Sequence, residues 1–169
     1  MPLEIERKFL LEAFEPPETA VRQHIEQGYI AIKDDGTEVR LRRIGGSCVL
    51  GVKRKASGAG AGSPAGSPAG STVRIEVERE LGEEEFTELW PATEGARLVK
   101  ERYTFDASGV TVYADVYQGE LAGLRTVEVE FGSEAEAEAF SAPEWFGAEI
   151  TGVKAYKNQT LATGGLPKS

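Results

Sequence analysis

A chain of 169 residues, 40% apolar and 28% charged, has the length for one domain and the composition for a packed core. Its 28 acidic and 19 basic residues give a net charge of −9, which repels phosphate backbones and anionic lipid, so neither a nucleic-acid nor a membrane partner is expected. With one cysteine, Cys48, and one histidine, His24, an internal disulfide and a Cys/His zinc site are excluded. Nucleophilic catalysis of the Ser/His/Asp or Cys/His type would depend on His24, which lies in the polar stretch Val21–Gly28 without a nucleophile elbow and reads as a solvated side chain. The opening Met-Pro-Leu-Glu-Ile-Glu-Arg-Lys-Phe has no apolar signal region and no run reaches membrane-spanning length, so a soluble, cytoplasmic protein is expected.

Period-two alternation dominates the chain. It predicts strands over 3–10, 28–33, 37–44, 47–55, 72–81, 97–106, 110–117 and 124–131, with a short helix over 16–25 between the first two. Glycine-bearing turns at Asp34-Asp35-Gly36, Gly45-Gly46, Ser108-Gly109 and Gly119…Gly123 punctuate them. Residues 56–72 carry only small residues and proline, with Ser-Pro-Ala-Gly twice in tandem. Nothing there offers surface to bury, so the segment reads as a flexible loop inserted in a hairpin, with a lid over a site as the alternative. Helices are expected over 82–94, over 133–141 behind a Ser133/Glu136 capping box, and over 153–162. Many antiparallel strands with few helices indicate one α+β domain spanning 1–169, built on a barrel or curved sheet. Trp145 and Phe146 are expected to pack onto that sheet, with a homodimer contact as the alternative.

Residues two apart on a strand share a face, and here one face is charged almost throughout. Glu4, Glu6 and Lys8 oppose Ile5, Arg7 and Phe9. Arg40 and Arg42 oppose Val39 and Leu41, and Lys53 opposes Leu50 and Val52. Arg74, Glu76 and Glu78 oppose Val73, Ile75 and Val77, while Lys100 and Arg102 oppose Val99 and Tyr103. Asp115 opposes Ala114 and Val116, and Glu128 and Glu130 oppose Val127, Val129 and Phe131. A solvated sheet face would explain any one of these strands. The set is different, because the signs are sorted by strand and the usual Thr, Ser and Gln of exposed strands are scarce. If the sheet closes with this face inward, the lumen holds basic and acidic sets that only water and a charged ligand can fill. Lys and Arg from several strands suit a polyanion with more than one phosphate, and carboxylates without His or Cys suit a hard cation, Mg²⁺ or Mn²⁺.

Glu4-Ile5-Glu6-Arg7-Lys8-Phe9 resembles the ExExK signature of the CYTH superfamily, the triphosphate tunnel metalloenzymes. Gly28-Tyr29, Arg40-x-Arg42, Lys53, Glu76-x-Glu78, Lys100-x-Arg102, Asp115, Glu128-x-Glu130 and Tyr156-Lys157-Asn158 extend the resemblance, in order, over nearly the whole chain. It implies an eight-stranded antiparallel β-barrel enclosing a tunnel. It also implies that Lys8, Arg40, Arg42, Lys53, Lys100, Arg102 and Arg74 grip a triphosphate. Glu4, Glu6, Asp115, Glu128 and Glu130 would hold divalent metal, with Glu76 and Glu78 joining them or ordering the basic residues. The implied chemistry is metal-dependent in-line attack of water on a terminal phosphorus. Lys53 and Tyr29 are a candidate pair for tuning proton transfer, Tyr29 being equally readable as a packing aromatic.

Within the superfamily, the chain lacks the His-Phe element of class IV adenylate cyclases and the additions typical of thiamine triphosphatases. It most resembles the short bacterial inorganic triphosphatases, which implies hydrolysis of tripolyphosphate to pyrophosphate and phosphate, with nucleoside triphosphates as poorer substrates. The alternatives are a cyclase or organic triphosphatase, and a non-catalytic polyphosphate- or nucleotide-binding module. If the insertion is only a tolerated loop, deleting residues 58–70 leaves turnover nearly intact; a large loss in the same assay would instead mark it as a lid.

Overall fold

The computed structural model describes residues 3–56 and 72–168. Eight strands run through it: β1 (Leu3–Leu10), β2 (Val21–Ile32), β3 (Glu38–Ile44), β4 (Ser47–Lys55), β5 (Thr72–Leu81), β6 (Arg97–Ala107), β7 (Val110–Tyr117) and β8 (Arg125–Glu130). Every neighbouring pair is antiparallel, and the order β1-β5-β4-β3-β2-β6-β7-β8 closes on itself where β8 pairs with β1. Three short α-helices, α1 (Glu83–Leu89), α2 (Glu134–Ala139) and α3 (Asn158–Gly164), lie around the barrel, with 3₁₀ turns at Trp90–Thr93, Gly119–Leu121 and Lys154–Tyr156. Among the described residues no helix is long and apolar enough to cross a membrane. The loop read over 56–72 lies, apart from its two end residues, outside the described residues.

Seven strands stand close to their expected limits, but the helix expected over 16–25 does not form. Its second half belongs to β2, which pairs with β6 from Val21↔Thr104 onward and with β3 from Ile25↔Ile44. Gln23, Ile25, Gln27 and Tyr29 therefore share one face of a long strand, and Ile25 and Gln27 are fully buried. The pairing on both edges overrides a local pattern that is only weakly helical. The other helices are shorter than expected. Pro91 turns the end of 82–94 into 3₁₀, and 153–162 splits into a 3₁₀ turn and α3. At α2, Ser133 accepts from Glu136 N at 3.1 Å as a cap should, while the Glu136 carboxylate accepts from Gly132 N at 2.8 Å rather than from Ser133 N. The turn between β6 and β7 has Ser108 and Gly109 at φ 53° and 79°, which matches the twist of a hairpin.

With the charged face turned inward, the apolar core lies outside the barrel wall. Phe9, Phe105, Val112, Ala114, Val127 and Val129 form one cluster on the outer faces of β1, β6, β7 and β8, roofed by Phe140 and Phe146. Trp145 joins this roof edge-on to Phe146, with ring centroids 4.6 Å apart, and remains 42% exposed. Arg7 staples the roofing segment to β1: Nε and Nη2 donate to Glu149 at 2.8 and 2.7 Å, and Nη1 donates to the carbonyls of Ala137 and Phe140. On the opposite side α1 drops Phe86 onto Leu41 and Cys48, under the ring of Trp90. His24 is half exposed and bonds Glu101 through Nδ1 at 2.7 Å, in keeping with a surface role.

Gly28 is a glycine because the 3₁₀ turn after α1 rests on it. A Cβ there would lie 2.6 Å from Thr93 Cβ, whereas one on Gly46 would meet nothing within 4 Å. Gly28→Ala is therefore expected to lower unfolding free energy in urea by about 1–3 kcal/mol, as overpacking does, while Gly46→Ala changes it little.

Candidate active site

Antiparallel closure gives the barrel two mouths. One is framed by the starts of β1, β2, β4 and β7; the other, by the start of β3 and the ends of β1, β2 and β7, is crossed by the segment Ile150–Gln159. The interior holds a cavity of about 310 Å³ lined almost entirely by polar and charged side chains. Lys8, Arg40, Arg42, Lys53, Arg74, Lys100 and Arg102 all line it, as do Glu4, Glu6, Glu76, Glu78, Glu128 and Glu130. Asp115 stands behind this lining, with no exposure at all.

The ions fall into two groups. On the β1–β5–β4–β3 side, Lys53 Nζ lies 2.9 Å from Glu4 and 3.1 Å from Glu76, and Arg74 reaches Glu4, Glu6 and Glu38, each at 3.5 Å. Arg40 lies 3.4 Å from Glu76, and Arg42 donates to Glu78 at 2.9 Å. On the β6–β7–β8 side, Asp115 accepts from Lys100 Nζ at 2.8 Å and from Arg102 at 2.8 and 2.9 Å, so its oxygens are committed. Glu128 sits between Lys8 (3.7 Å) and Arg102 (3.9 Å).

Burial and field act unequally on these groups. Burial alone would push Asp115 up, but Arg102 and Lys100 together hold it well below the usual carboxylate range. For Lys100, burial, with Arg102 adding to it, outweighs Asp115 and Glu128 and pulls its ammonium down to about 7. Glu6 goes the other way. Burial, then Glu128 and Glu4, raise it to about 8 despite Lys53 and Arg74. Tyr29 is pushed up by burial and by Glu38, and its hydroxyl accepts from Gln27 Nε2 at 2.7 Å, so the phenol stays neutral.

One oxygen atom from each of Glu4, Glu6 and Glu130 lies within 4.8 Å of the others, a grouping that arises where β1 pairs with β8 through Glu6↔Glu130. Three crowded carboxylates form a donor set whose charge Lys53 and Arg74 offset only in part, since the Glu6 pKa stays well above the ordinary value. All-oxygen donors of this kind fit a hard divalent cation. Among the described residues, Asp115, Glu76 and Glu78 are not brought into this group, since their partners are Arg and Lys. Among the described residues, the buried Nε–H groups of Arg40, Arg42 and Arg74 and the buried oxygens Gln27 Oε1 and Glu38 Oε2 have no hydrogen-bond partner in the protein. Buried polar groups are nearly always satisfied, so the tunnel holds polar capacity for water and a charged ligand.

Some lining residues escape the sequence reading. Glu38, 3% exposed under Arg40 and Arg74, is two residues before Arg40 and shares its face, so the same alternation could have found it. Tyr113 precedes Asp115 by two in the same way and carries Arg102 over its ring at 5.1 Å. Gln27 falls between the helix expected over 16–25 and the strand expected from 28, in what is one continuous strand. Lys157, which the sequence reading names only within the Tyr156-Lys157-Asn158 element and without a role, lies outside any strand, where no periodicity points to it.

No protein-family model matches the chain. It is 39% identical over 160 residues to an inorganic triphosphatase of Nitrosomonas europaea, covering 94% of this chain and 96% of that one. An inorganic triphosphatase of Acetivibrio thermocellus is 31% identical over 159 residues, covering 94% and 92%. A crystal structure of an inorganic triphosphatase superposes with a TM-score of 0.69 at 37% identity, covering 99% of both chains. A putative adenylyl cyclase from Hippeastrum, at 14% identity and a TM-score of 0.52 over 80% of this chain and 82% of that one, shares the fold alone.

Removing the Asp115 carboxylate would leave Lys100 and Arg102 buried without their anion. Asp115→Ala is expected to cost about 3–5 kcal/mol of unfolding free energy in denaturant at neutral pH. A loss below about 1 kcal/mol would mean that the pair is not held by this residue.

Proposed function

This chain belongs to the inorganic triphosphatase family, CYTH-type tunnel proteins, and we propose from that premise that it hydrolyses tripolyphosphate to pyrophosphate and phosphate inside its barrel with a divalent cation. The observation that carries the reading is the lining of the cavity, where seven Lys and Arg side chains from five strands meet the crowded carboxylates of Glu4, Glu6 and Glu130. A metal-chelated oligophosphate is the ligand that both sets of groups fit.

Lys8, Arg40, Arg42, Lys53, Arg74, Lys100 and Arg102 bind and neutralise the phosphate oxygens, with Arg forks and Lys point charges arriving from different strands. Glu4, Glu6 and Glu130 hold Mg²⁺ or Mn²⁺, which when bound supplies Lewis-acid charge to phosphate oxygens and acidifies coordinated water. Glu76, Glu78, Glu128 and Asp115 keep the basic side chains extended before substrate arrives, so little reorganisation is needed at reaction. Lys53, bonded to Glu4 of the carboxylate group, offsets charge at the attacked phosphorus, and the neutral Tyr29 phenol offers a hydroxyl donor nearby. In the reaction a water oxygen bonds to a terminal phosphorus, and the anhydride P–O bond breaks with its electron pair on the departing pyrophosphate. The lining has few apolar surfaces, among them Ile44, Ile150 and Val153, which supports an inorganic chain over a nucleotide whose base needs stacking surface. The single cysteine without a disulfide partner is in keeping with the cytoplasmic setting.

Phosphate release from tripolyphosphate, ATP and thiamine triphosphate, each with Mg²⁺, Mn²⁺ or EDTA, tests this directly. Rapid, metal-dependent cleavage of tripolyphosphate and slow release from the other two are expected. No release from any would overturn the reading, and a cyclic nucleotide from ATP would replace it with a cyclase. In the same assay Glu6→Gln and Glu130→Gln at saturating metal are expected to lose at least about 10–100-fold in rate. The stability sign runs opposite. Folding raises the Glu6 pKa from 4.5 to about 8, so its ionised form costs stability above pH 4.5. Glu6→Gln is therefore expected to hold or raise the melting temperature at pH 8 while activity falls.

A further inference from the structure

Gln27 and Tyr29 share the inward face of β2 and both line the tunnel, Gln27 with no exposure at all and Tyr29 with 3%. The strand holds them stiffly. Gln27 pairs with Arg42 of β3 on one side and with Leu98 of β6 on the other. Gly28 between them lies against Thr93, and Tyr29 N donates to the Ala96 carbonyl at 2.9 Å. Regular pairing with β3 breaks between Tyr29 and Ala31, an irregularity of the kind that re-aims a side chain beside a site.

The two side chains meet in one sense only. Gln27 Nε2 donates to the Tyr29 hydroxyl at 2.7 Å, so the acceptor side of that oxygen is occupied. A phenol has a single hydrogen and gives it in the direction left open. Among the described residues the hydroxyl has no acceptor for that hydrogen, Glu38 acting on it through its field and not through a bond. Turning the amide over would give the hydroxyl an acceptor, but the surroundings oppose it. It would bring further N–H donors to a lining where the Nε–H groups of Arg40, Arg42 and Arg74 already lack acceptors. It would also remove Gln27 Oε1, a buried acceptor that those donors or a bound water can use.

We propose that Gln27 is a positioning residue: its amide holds the Tyr29 hydroxyl with its hydrogen turned into the tunnel, where it donates to an oxygen of the bound phosphate chain. The inference rests on the tunnel being a phosphate-chain site, as argued above. Gln27 acts through Tyr29 and does not itself bind the chain.

The test is a double-mutant cycle of Gln27→Met and Tyr29→Phe with three readouts. These are calorimetric Kd for pyrophosphate without metal, kcat and KM for tripolyphosphate with metal, and melting temperature. Tyr29→Phe is expected to raise Kd about tenfold, the scale of one hydrogen bond to a charged group, and Gln27→Met about three- to tenfold. In the Tyr29→Phe background Gln27→Met should change Kd by less than about twofold, because no hydroxyl is left to aim. A second cycle uses Gln27→Glu, which keeps the shape of the side chain while its carboxylate accepts the phenol hydrogen. Its repulsion of phosphate is common to both backgrounds and cancels, so the same coupling is expected. Equal fold-changes in the two backgrounds would overturn the proposal, since Gln27 would then act on the chain or on the fold directly. So would unchanged Kd and KM in Gln27→Met, or losses that follow a falling melting temperature. A wild type that cleaves no tripolyphosphate but shows this coupling with pyrophosphate would remove the hydrolase reading and leave the positioning role standing. Cleavage without coupling would do the reverse.

Discussion

The inward charge of the barrel is the constraint from which the rest of the molecule follows. A tunnel walled by Lys, Arg, Glu and Asp has no apolar interior to drive closure, so the ions must satisfy one another and the hydrophobic stabilisation has to be found elsewhere. It is found on the outer wall, where Phe9, Phe105 and Val129 lie under the 140–150 segment and Phe86 lies under α1. The short helices are cladding in this sense. Each turns an exposed stretch of sheet into a buried one, and none contributes a long amphipathic face of its own. Arg7 and Lys8 show how tightly the two demands alternate: adjacent in sequence, one staples the cladding and the other enters the tunnel.

This division was legible in the sequence because it is written with period two. Alternation placed Glu4, Glu6, Arg40, Arg42, Lys53, Arg74, Lys100 and Arg102 on one face of their strands before any pairing was known, and the barrel keeps every one of them there. It failed where local pattern and tertiary pairing disagree. Val21–Ile25 carries one apolar residue at each end and polar ones between, which a short helix would fit as well, and only edges shared with β3 and β6 make it a strand.

What alternation could not give is which charges meet. Glu6 gathers with Glu130 because β8 returns to β1, and Asp115 is taken by Lys100 and Arg102 because β6 and β7 form one hairpin. Both are acidic residues on an inward face, and only the closure of the sheet gives them different partners and opposite pKa displacements. Strand alternation does not reach Lys157 for a related reason. It owes its place to bonds made by its neighbours across the barrel end, and such bonds have no spacing rule.

The pairing of β1 with both β5 and β8 also sets a timetable. During synthesis β1 has no partner until β5 has been made, and its second edge stays open until β8 has followed. Contacts of such long range are slow to form and expose unpaired strand edges while they wait. The charged side chains Glu4, Glu6 and Lys8 on the waiting face of β1 are well solvated, and charge on an unpaired strand works against edge-to-edge pairing. The charges that later line the tunnel thus act earlier as a guard against aggregation during synthesis.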